Sequence, residues 1–433
     1  MVQLGQGHAA RQPPLVARKG LSKADGRFLR GHSHRPRTRR HGDGWHARDD
    51  QLPAHDGVRP PWHAAPVRSG ARQSLTCSMS RVRVLLIAPS LDILGGQAVQ
   101  AQHLLSGMRT EPSVSMDFLP INPRLPGPLR NIRYVRTVLK FLVYIVRLTF
   151  SAWRYDILHI FSAAYYSYLL GSVPALFIGR LYGKKIILHY HDGQCEDHLR
   201  NWRTALPTLR LAHQLVTPTD FVVEVMKRFG LKARRIFNVL DQAHFHYRPR
   251  ARLRPVFMTN RILEPLYNVD CILRAFVIIQ QRYPDATLTI AHDGCSRPHL
   301  EALTRELQLR NVEFLGKVPH QRVAELYDEA DIYLTTPNTD CMPGSLLECF
   351  ASGLPLIATD VGGIPYIVTN ERNALLVPIN DHEALASAAF RLLDDPELVE
   401  RLTRNGLAEC DRYRAETIRA QWVELYHSMA RGR

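Results

Sequence analysis

The chain has 433 residues, of which 45 % are hydrophobic and 22 % are charged, and these ordinary values exclude a chain that is disordered throughout. Its length predicts two to three domains. The formal net charge of +16 is unevenly spread, because residues 1–78 hold 14 Lys/Arg against five Asp/Glu and the rest of the chain adds only +7. We therefore interpret the sequence as a mildly basic globular body that follows a strongly basic leader.

The leader, residues 1–78, has no helical or strand periodicity and is dominated by Pro, Gly, His and Arg. Such a segment cannot bury enough apolar surface to fold, so we predict that it is disordered. It lacks the apolar stretch of a secretory signal, and its few aromatic residues argue against a nucleic-acid partner. Two interpretations stay open: a disordered functional tail or, as we favour, a start codon assigned upstream of a true start at Met79.

The seven cysteines are an odd number and contain no Cys-x-x-Cys pair. A disulfide framework and a zinc knuckle are therefore not expected. This cysteine usage favours a cytoplasmic location.

The first half of the body alternates short apolar runs with helical stretches, a pattern typical of a doubly wound parallel α/β sheet. Gly95 and Gly96 follow the first apolar run and precede a predicted helix at 98–108. We assign residues 79–250 to this first Rossmann-like domain. Its predicted strands are Val82–Pro89, Ile157–Phe161, Lys185–His189 and Gln214–Thr217.

A helix predicted at Val138–Trp153 is apolar but is interrupted by Lys140 and Arg147, so it does not resemble a transmembrane span. With the arginines around it, the stretch forms a basic amphipathic helix, which can lie on an anionic membrane surface. A surface helix whose apolar face packs on the sheet explains the pattern equally well, and the two interpretations are compatible.

The segment Arg248–Pro255, rich in Arg and Pro, is the best linker candidate, and the same alternation resumes after it. We assign residues 251–410 to a second Rossmann-like domain, which faces the first across a cleft between strand ends. The chain is predicted to be helical after Pro396, with residues 411–433 packing back on the first domain. The strands predicted in the second domain are Pro255–Thr259, Thr287–Ala291, Val312–Leu315, Ile332–Thr335, Pro355–Thr359 and Ala374–Val377.

The segment Asp340–Pro355 holds two carboxylates eight residues apart on either side of a Pro-Gly-Ser helix start. Gly344 or Ser345 would cap a helix that contains Glu348, and its first-turn N–H groups would form an anion site for phosphate oxygens. Asp340 could accept hydrogen bonds from sugar hydroxyls and Glu348 from a ribose. Alternatively, Glu348 is only an acid that is favourable at a helix N-terminus.

From Met79 to its end, the sequence resembles glycosyltransferase family 4, whose members have the two-domain GT-B fold. The strongest part is Asp340–Pro365, which is similar to that family's acid-x7-acid region and the Gly-Gly-x-Pro loop after it. The first strand with its Gly-Gly pair, the strand Asp156–His159 and the segment His189–Asp192 agree in order and spacing.

The resemblance implies a role for each candidate site residue. Catalytic roles fall to His191 over the donor sugar, to Asp340 on the sugar hydroxyls and to Arg261 beside the diphosphate. Glu348 would bind the ribose. The backbone would approach donor and acceptor at two glycines, and N–H groups at the start of the helix would complete the phosphate cradle: Gly95, Gly96, Gly344, Ser345, Leu346 and Leu347.

The sequence departs from the family at two positions near the implied diphosphate site. The family usually has a lysine a few residues after the arginine, where this chain has Tyr267 or Asn268. Lys317 and Arg297 are candidates to replace it from a neighbouring loop. The first acid is aspartate where glutamate is usual, so the sugar must lie closer or a water must bridge.

The resemblance implies a retaining hexosyltransferase that needs neither metal nor cofactor and uses a nucleoside-diphosphate sugar as donor. Its acceptor would be a hydroxyl of a glycan or a lipid-linked acceptor in polysaccharide or cell-envelope glycan biosynthesis, and its location cytoplasmic, peripheral on the inner face of the membrane. The pair His189 and His191 is too weak a pattern for a metal site. Three alternatives stay open: another enzyme acting on a sugar nucleotide, a catalytically silent GT-B binding protein, and a nucleic-acid binder that acts through the basic leader.

Overall fold

The computed structural model describes residues 81–92, 95–124, 133–250 and 252–431. The predicted leader and Met79 lie outside these residues. Within them, no helix is both long enough and apolar enough to cross a bilayer.

The first domain is built on a six-stranded, entirely parallel sheet with the strand order β2-β1-β3-β4-β5-β6. Its strands are β1 (Val82–Ala88), β2 (Val114–Pro120), β3 (Ile157–Ser162), β4 (Lys185–Tyr190), β5 (Gln214–Thr217) and β6 (Ala233–Arg235). Its helices are α1 (Gly96–Arg109), α2 (Arg133–Ala152), α3 (Tyr165–Ser167), α4 (Val173–Leu181), α5 (Cys195–Asn201), α6 (Ala205–Leu209) and α7 (Asp220–Arg228). A π-helical turn at Tyr168–Ser172 joins α3 to α4, and a 3₁₀ turn at Gln242–His244 follows the sheet.

The second domain is built on another six-stranded parallel sheet, with the order β12-β11-β10-β7-β8-β9. Its strands are β7 (Val256–Thr259), β8 (Thr287–Ile290), β9 (Val312–Phe314), β10 (Ile332–Thr335), β11 (Leu356–Thr359) and β12 (Leu375–Val377). Its helices are α8 (Val269–Arg282), α9 (Arg297–Glu306), α10 (His320–Glu329), α11 (Gly344–Ala351), α12 (His382–Asp394) and α13 (Pro396–Glu409), and α14 (Ala415–Arg431) ends the described chain. Short 3₁₀ turns lie at Pro265–Tyr267, Ile364–Tyr366 and Cys410–Tyr413.

All ten strands predicted from apolar runs are present, each within one residue of its predicted ends. The runs are apolar because most of these strands are covered on both faces, and every residue of β3, β10 and β11 is buried. The two strands that the prediction missed, β2 and β6, are the edges of the first sheet. An edge strand is covered on fewer sides, so its sequence need not be a continuous apolar run.

Strand order determines where each sheet can bind a ligand. In the first sheet the chain passes from β1 to β2 on one side and then to β3 on the other, so the order reverses between β1 and β3. In the second sheet the same reversal falls between β7 and β10. Open α/β sheets bind ligands outside the carboxyl ends of the strands at such a point. The loops after β1, β7 and β10 are therefore the ones that position a site.

The segment between the domains is anchored to the second domain rather than free. The Arg250 side chain is buried and donates to the carbonyl oxygens of Ser352 and Gly353, at 2.7 and 2.6 Å, and of Tyr327 at 2.6 Å. Arg248 also donates to the buried Asp331 carboxylate at 2.8 Å.

The last helix returns to the first domain. On α14, the buried side chains of Ile418, Trp422, Leu425 and Tyr426 share a core with β1 and β3. The chain thus crosses between the two domains twice, once through the anchored segment and once before α14.

Candidate active site

A cleft of about 850 Å³ lies between the two domains, at the carboxyl ends of their strands. The loops after β1, β4, β7 and β10 all contribute to its walls. Of the ten residues that the sequence singles out as site residues or as part of the phosphate cradle, the cleft brings together eight: Gly95, Gly96, His191, Arg261, Asp340, Gly344, Ser345 and Glu348.

The side chains of Leu346 and Leu347 do not face the cleft but are buried in the second domain's core. Helix α11 begins at Gly344, and the first amides of an α-helix have no acceptor within the helix. The Leu346 amide is partly engaged, since it donates to the Pro343 carbonyl oxygen at 3.3 Å. The amides of Gly344 and Ser345 are therefore better placed than that of Leu346 to meet an anion.

Arg261 and Asp340, which follow β7 and β10, form an ion pair across the cleft floor. The Arg261 Nη2 donates to the Asp340 Oδ2, and its Nη1 donates to the Ser345 Oγ at 3.4 Å. Burial raises the pKa of Asp340, while the guanidinium and the Cys341 N–H oppose that effect. Although burial opposes its charge, Arg261 has a raised pKa because Asp340 stabilises the cation. The structure thus brings together Asp340, predicted to bind the sugar hydroxyls, and Arg261, predicted to lie beside the diphosphate of the same donor.

Tyr267 lies under the guanidinium of Arg261, with the Arg261 Cζ 4.4 Å from the ring centroid. An arginine stacked on an aromatic ring gains a cation–π interaction and is held in one orientation. The residue that stands where the resembling family has lysine therefore supports the arginine rather than adding a charge.

Neither residue expected to replace the missing lysine lines the cleft. Arg297 donates to the Glu301 carboxylate at 2.7 Å, and Lys317 is exposed. Among the described residues of the cleft wall, Arg261 is the single Lys or Arg. The same wall carries four carboxyl groups, those of Asp192, Glu264, Asp340 and Glu348.

Glu348 is held by a network that the sequence did not reveal. The Tyr327 hydroxyl donates to the Glu348 Oε2 at 2.8 Å and accepts from the Asn260 Nδ2 at the same distance. The Tyr333 hydroxyl donates to the Asn260 Oδ1 at 2.7 Å. Burial raises the pKa of Tyr327, so its hydroxyl stays protonated and continues to donate. Asn260 directly follows β7, a position at which a polar residue could have been suspected.

Three glycines surround the backbone of Asp340. A Cβ on Gly193 of the first domain would lie 2.6 Å from the Asp340 carbonyl carbon, and one on Gly362 would lie 2.3 Å from its carbonyl oxygen. Gly363 donates its N–H to that oxygen at 2.9 Å, and a Cβ there would lie 1.7 Å from the Cys341 carbonyl oxygen. The Gly-Gly-x-Pro loop of the second domain therefore packs against the backbone of Asp340 and Cys341. Gly193 of the first domain packs against the Asp340 backbone as well.

His191 lies at the end of β4 with its ring stacked on Phe161, the centroids 4.7 Å apart. Burial lowers the pKa of His191 to about 3, so the imidazole is neutral near pH 7. Its Nε2 has no hydrogen-bond partner within the described chain. His189, by contrast, is buried behind it at 3.9 Å between ring centroids and does not reach the cleft. The neutral ring thus lines the cleft, and its unpartnered Nε2 is itself buried.

Asp192 supports loop structure in the cleft wall. Its Oδ2 accepts from the Ala164 amide and its Oδ1 from the Gln194 amide, both at 2.9 Å. No group of three or more His, Cys, Asp or Glu side chains among the described residues is arranged to hold a metal ion.

Comparison with known proteins gives a family match for part of the chain. Residues 250–408 match the family model described as glycosyl transferases group 1. The chain is 33 % identical over 202 residues to an exopolysaccharide phosphotransferase of Streptomyces coelicolor. The aligned region covers 46 % of this chain and 21 % of that protein. It is 30 % identical over 175 residues to the D-inositol 3-phosphate glycosyltransferase of Corynebacterium urealyticum, covering 39 % of this chain and 41 % of that protein. The chain thus spans less than half the length of these two relatives.

Solved structures resemble most of the chain. A structure of Anabaena Alr3699/HepE in complex with UDP and glucose superposes with a TM-score of 0.64 at 17 % identity, over 80 % of this chain and 100 % of that one. A sucrose-phosphate synthase from Thermosynechococcus elongatus gives a TM-score of 0.63 at 20 % identity, over 82 % and 100 %. The chain therefore has the GT-B fold, and its residues 250–408 carry the sequence features of the glycosyl transferases group 1 family.

Proposed function

We propose that this protein is a retaining glycosyltransferase, resembling family 4, which moves a hexose from a nucleoside-diphosphate sugar to a hydroxyl of a glycan or lipid-linked acceptor. One observation carries the proposal: Arg261 and the first turn of α11 meet at the reversal point of the second sheet, within the segment that matches the family model. A cation beside a helix N-terminus at such a point is suited to a diphosphate. The UDP and glucose in the Anabaena structure support this choice of donor.

Donor binding would exchange the partners of Arg261. The Arg261 guanidinium pairs with Asp340, so a diphosphate that takes the guanidinium would free the carboxylate. Asp340 would then accept hydrogen bonds from the hydroxyls of the sugar, which lies next to the diphosphate. Glu348, oriented by Tyr327, would accept from the ribose.

The chemistry needs little beyond positioning and charge stabilisation. The bond from the anomeric carbon to the diphosphate oxygen breaks, and the acceptor oxygen bonds to the same face of that carbon. Because the new bond forms on the face that the diphosphate leaves, the anomeric configuration is retained. The acceptor proton passes to the leaving diphosphate oxygen. Arg261 and the amides of Gly344 and Ser345 would stabilise the departing charge without a metal ion or cofactor, and contact between the domains would exclude water.

A second candidate function is a catalytically silent binding protein of a glycan-assembly complex. The charge of the cleft favours it, because four carboxyl groups face a single described Arg or Lys that is already paired. Such a protein would bind a neutral glycan more readily than a diphosphate.

Thermal unfolding of the full chain with UDP-, GDP- and ADP-sugars in the presence of EDTA tests the proposal. A donor at 100 times its Kd stabilises the folded state by about 2.7 kcal/mol, which raises the Tm by several degrees. The shift should appear with one nucleotide and be lost in Glu348→Gln. The matched control is Glu400→Gln on the exposed surface of α13, which should keep it.

Incubation of the stabilising donor with a panel of glycan and lipid-linked acceptors then tests the reaction. A product linked with the donor's anomeric configuration, identified by NMR, is the expected result. Donor turnover without any acceptor would favour another sugar-nucleotide enzyme. A folded protein whose Tm no donor shifts would contradict the proposal and favour the silent binding protein.

A further inference from the structure

Helix α2 has two apolar faces, and the sheet covers only one of them. The side chains of Tyr144, Leu148 and Ala152 are buried in the first domain's core. On the opposite side, four large residues at four-residue spacing and the tryptophan after the helix are each more than half exposed: Val138, Leu142, Val146, Phe150 and Trp153. The helix therefore packs on the sheet and still presents an apolar stripe outward.

Helix α4 extends this stripe. It lies beside α2 on the same face of the sheet, since both helices share one core cluster. The Tyr144 hydroxyl donates to the Gly171 carbonyl oxygen at 2.6 Å, and the Lys184 Nζ donates to that of Trp153 at 2.7 Å. The segment from α3 through α4 exposes four more large apolar residues: Tyr166, Leu170, Phe177 and Leu181. We call the outer surface of residues 136–154 and 165–185 the α2–α4 face.

The α2–α4 face holds most of the large exposed apolar side chains in the part of the chain that the structure describes. Of the twelve large hydrophobic residues that are exposed among those described, nine lie on it. Exposed apolar residues scattered singly are ordinary, whereas such a concentration marks an interaction surface.

The charge of the face indicates what it contacts. Residues 136–154 and 165–185 contain no Asp or Glu, but they contain seven Lys or Arg. A second copy of the chain would bring these like charges together, so the face is not complementary to itself. Apolar and aromatic side chains among basic residues, with no acids, match an anionic lipid surface, where the rings enter the interface and the cations meet the headgroups.

We propose that the α2–α4 face docks the protein on an anionic lipid bilayer, with both helices lying in the plane of the interface. The face reaches the mouth of the cleft, because Ser167 lines the cleft and its neighbour Tyr166 is 73 % exposed on the face. Provided that the proposed glycosyl transfer holds, docking delivers an acceptor that is itself anchored in the membrane. Within the proposed range of acceptors, the geometry therefore selects the lipid-linked class.

Sedimentation of the full chain with lipid vesicles tests the docking. The probes are vesicles of phosphatidylcholine alone and of phosphatidylcholine with 30 % phosphatidylglycerol, each at low and high salt. The wild-type protein should pellet with the anionic vesicles and not with the neutral ones, and high salt should weaken the binding. Binding to neither kind of vesicle would overturn the proposal.

Variants distinguish vesicle binding through the α2–α4 face from binding through other basic segments of the chain, because every variant retains the basic leader. The double variant Val146→Ser/Phe150→Ser removes apolar area from exposed positions, so it should fold normally and bind anionic vesicles at least about tenfold more weakly. Arg147→Gln/Arg154→Gln should also weaken binding, by roughly fivefold per charge. The matched control Ile379→Ser/Leu407→Ser alters exposed apolar residues elsewhere and should bind as the wild type does.

Two further results decide the remaining alternatives. Wild-type vesicle binding by the Val146→Ser/Phe150→Ser variant would overturn the proposal, and so would a stable dimer in solution that this variant dissociates. The donor-induced rise in Tm should be unchanged in all the face variants. If the wild-type protein binds vesicles but no donor, the result counts against the proposed function alone. If it binds a donor but no vesicles, the result counts against the docking alone.

Discussion

Replacing Gly193 by alanine tests whether contact between the domains creates the donor site. The added Cβ would lie 2.6 Å from the Asp340 carbonyl carbon and 3.0 Å from its Cα, whereas such contacts ordinarily begin near 3.4 Å. One side must therefore move by roughly 0.8 Å. The Asp340 backbone cannot easily retreat, because Gly362 and Gly363 hold it from behind. The expected response is that the two domains part at this point.

Overpacking of this kind costs about 1–3 kcal/mol, and here the cost falls on the state in which the domains touch. The apparent Kd for the nucleotide sugar should rise by the corresponding factor of about 5 to 150. The Tm of the ligand-free protein should fall little, because separation of the loops relieves the contact. Titration calorimetry with the donor identified by thermal unfolding, together with the Tm of each variant, measures both quantities.

The matched control is Gly107→Ala in the last turn of α1, where the new Cβ would meet the Arg419 Cδ at 3.8 Å. That variant should keep the wild-type Kd. The reasoning is refuted if Gly193→Ala binds the donor as tightly as the wild type does. It is also refuted if the ligand-free Gly193→Ala protein loses the whole 1–3 kcal/mol, since the contact would then be part of the fold and not of a closing movement.

Three further predictions concern the cleft, the interdomain segment and the buried histidines. Gly96→Ala places a Cβ where no described atom lies within 4 Å apart from its chain neighbours and the backbone of its own helix, so stability should hold while glycosyl transfer falls at least about tenfold. Equal transfer would show that no ligand approaches this backbone. Arg250→Met should lower the free energy of unfolding by about 3 kcal/mol or more, because it leaves several buried carbonyl groups without a donor. Urea denaturation measures this loss. The control Arg252→Met, at an exposed position, should not lower the free energy of unfolding. Burial lowers the pKa of His159 and His191 to about 3. The stability that these neutral rings contribute is therefore complete above their unfolded pKa near 6.5 and declines as the pH falls below it. The free energy of unfolding should fall by up to about 1.4 kcal/mol per pH unit for each histidine. The urea midpoint of unfolding should therefore fall from pH 7 to pH 5, and it should fall less steeply in His159→Gln. Equal pH dependence in the two proteins would show that the buried His159 ring does not contribute to it.

Much of the fold was predictable from local pattern. Buried parallel strands need apolar side chains on both faces, so ten of the twelve strands appear in the sequence as apolar runs. The edge strands β2 and β6 do not, because part of their surface stays exposed. Their sequences contain Asp117, Arg234 and Arg235, residues that an apolar-run criterion rejects.

The membership of the site was also largely predictable, because strand ends place it. Residues that follow strands in a parallel sheet meet at one edge, so Arg261 after β7 and Asp340 after β10 had to lie near each other. Their direct pairing was not predictable, nor was the stacking of Tyr267 under the guanidinium. Such contacts depend on side-chain directions within the cleft, which no spacing along the chain encodes.

The sequence by itself determined the elements, their alternation in two domains and the polar residues at the strand ends, because these follow from local burial and chain order. Only the tertiary structure decided which groups touch. It placed Gly193 against Asp340, from the opposite domain, and it showed that the sheet covers one apolar face of α2 while the other stays exposed. A helix with apolar residues on both sides has one sequence pattern whether or not a neighbour covers it, so the distinction arises only when the surrounding elements have packed.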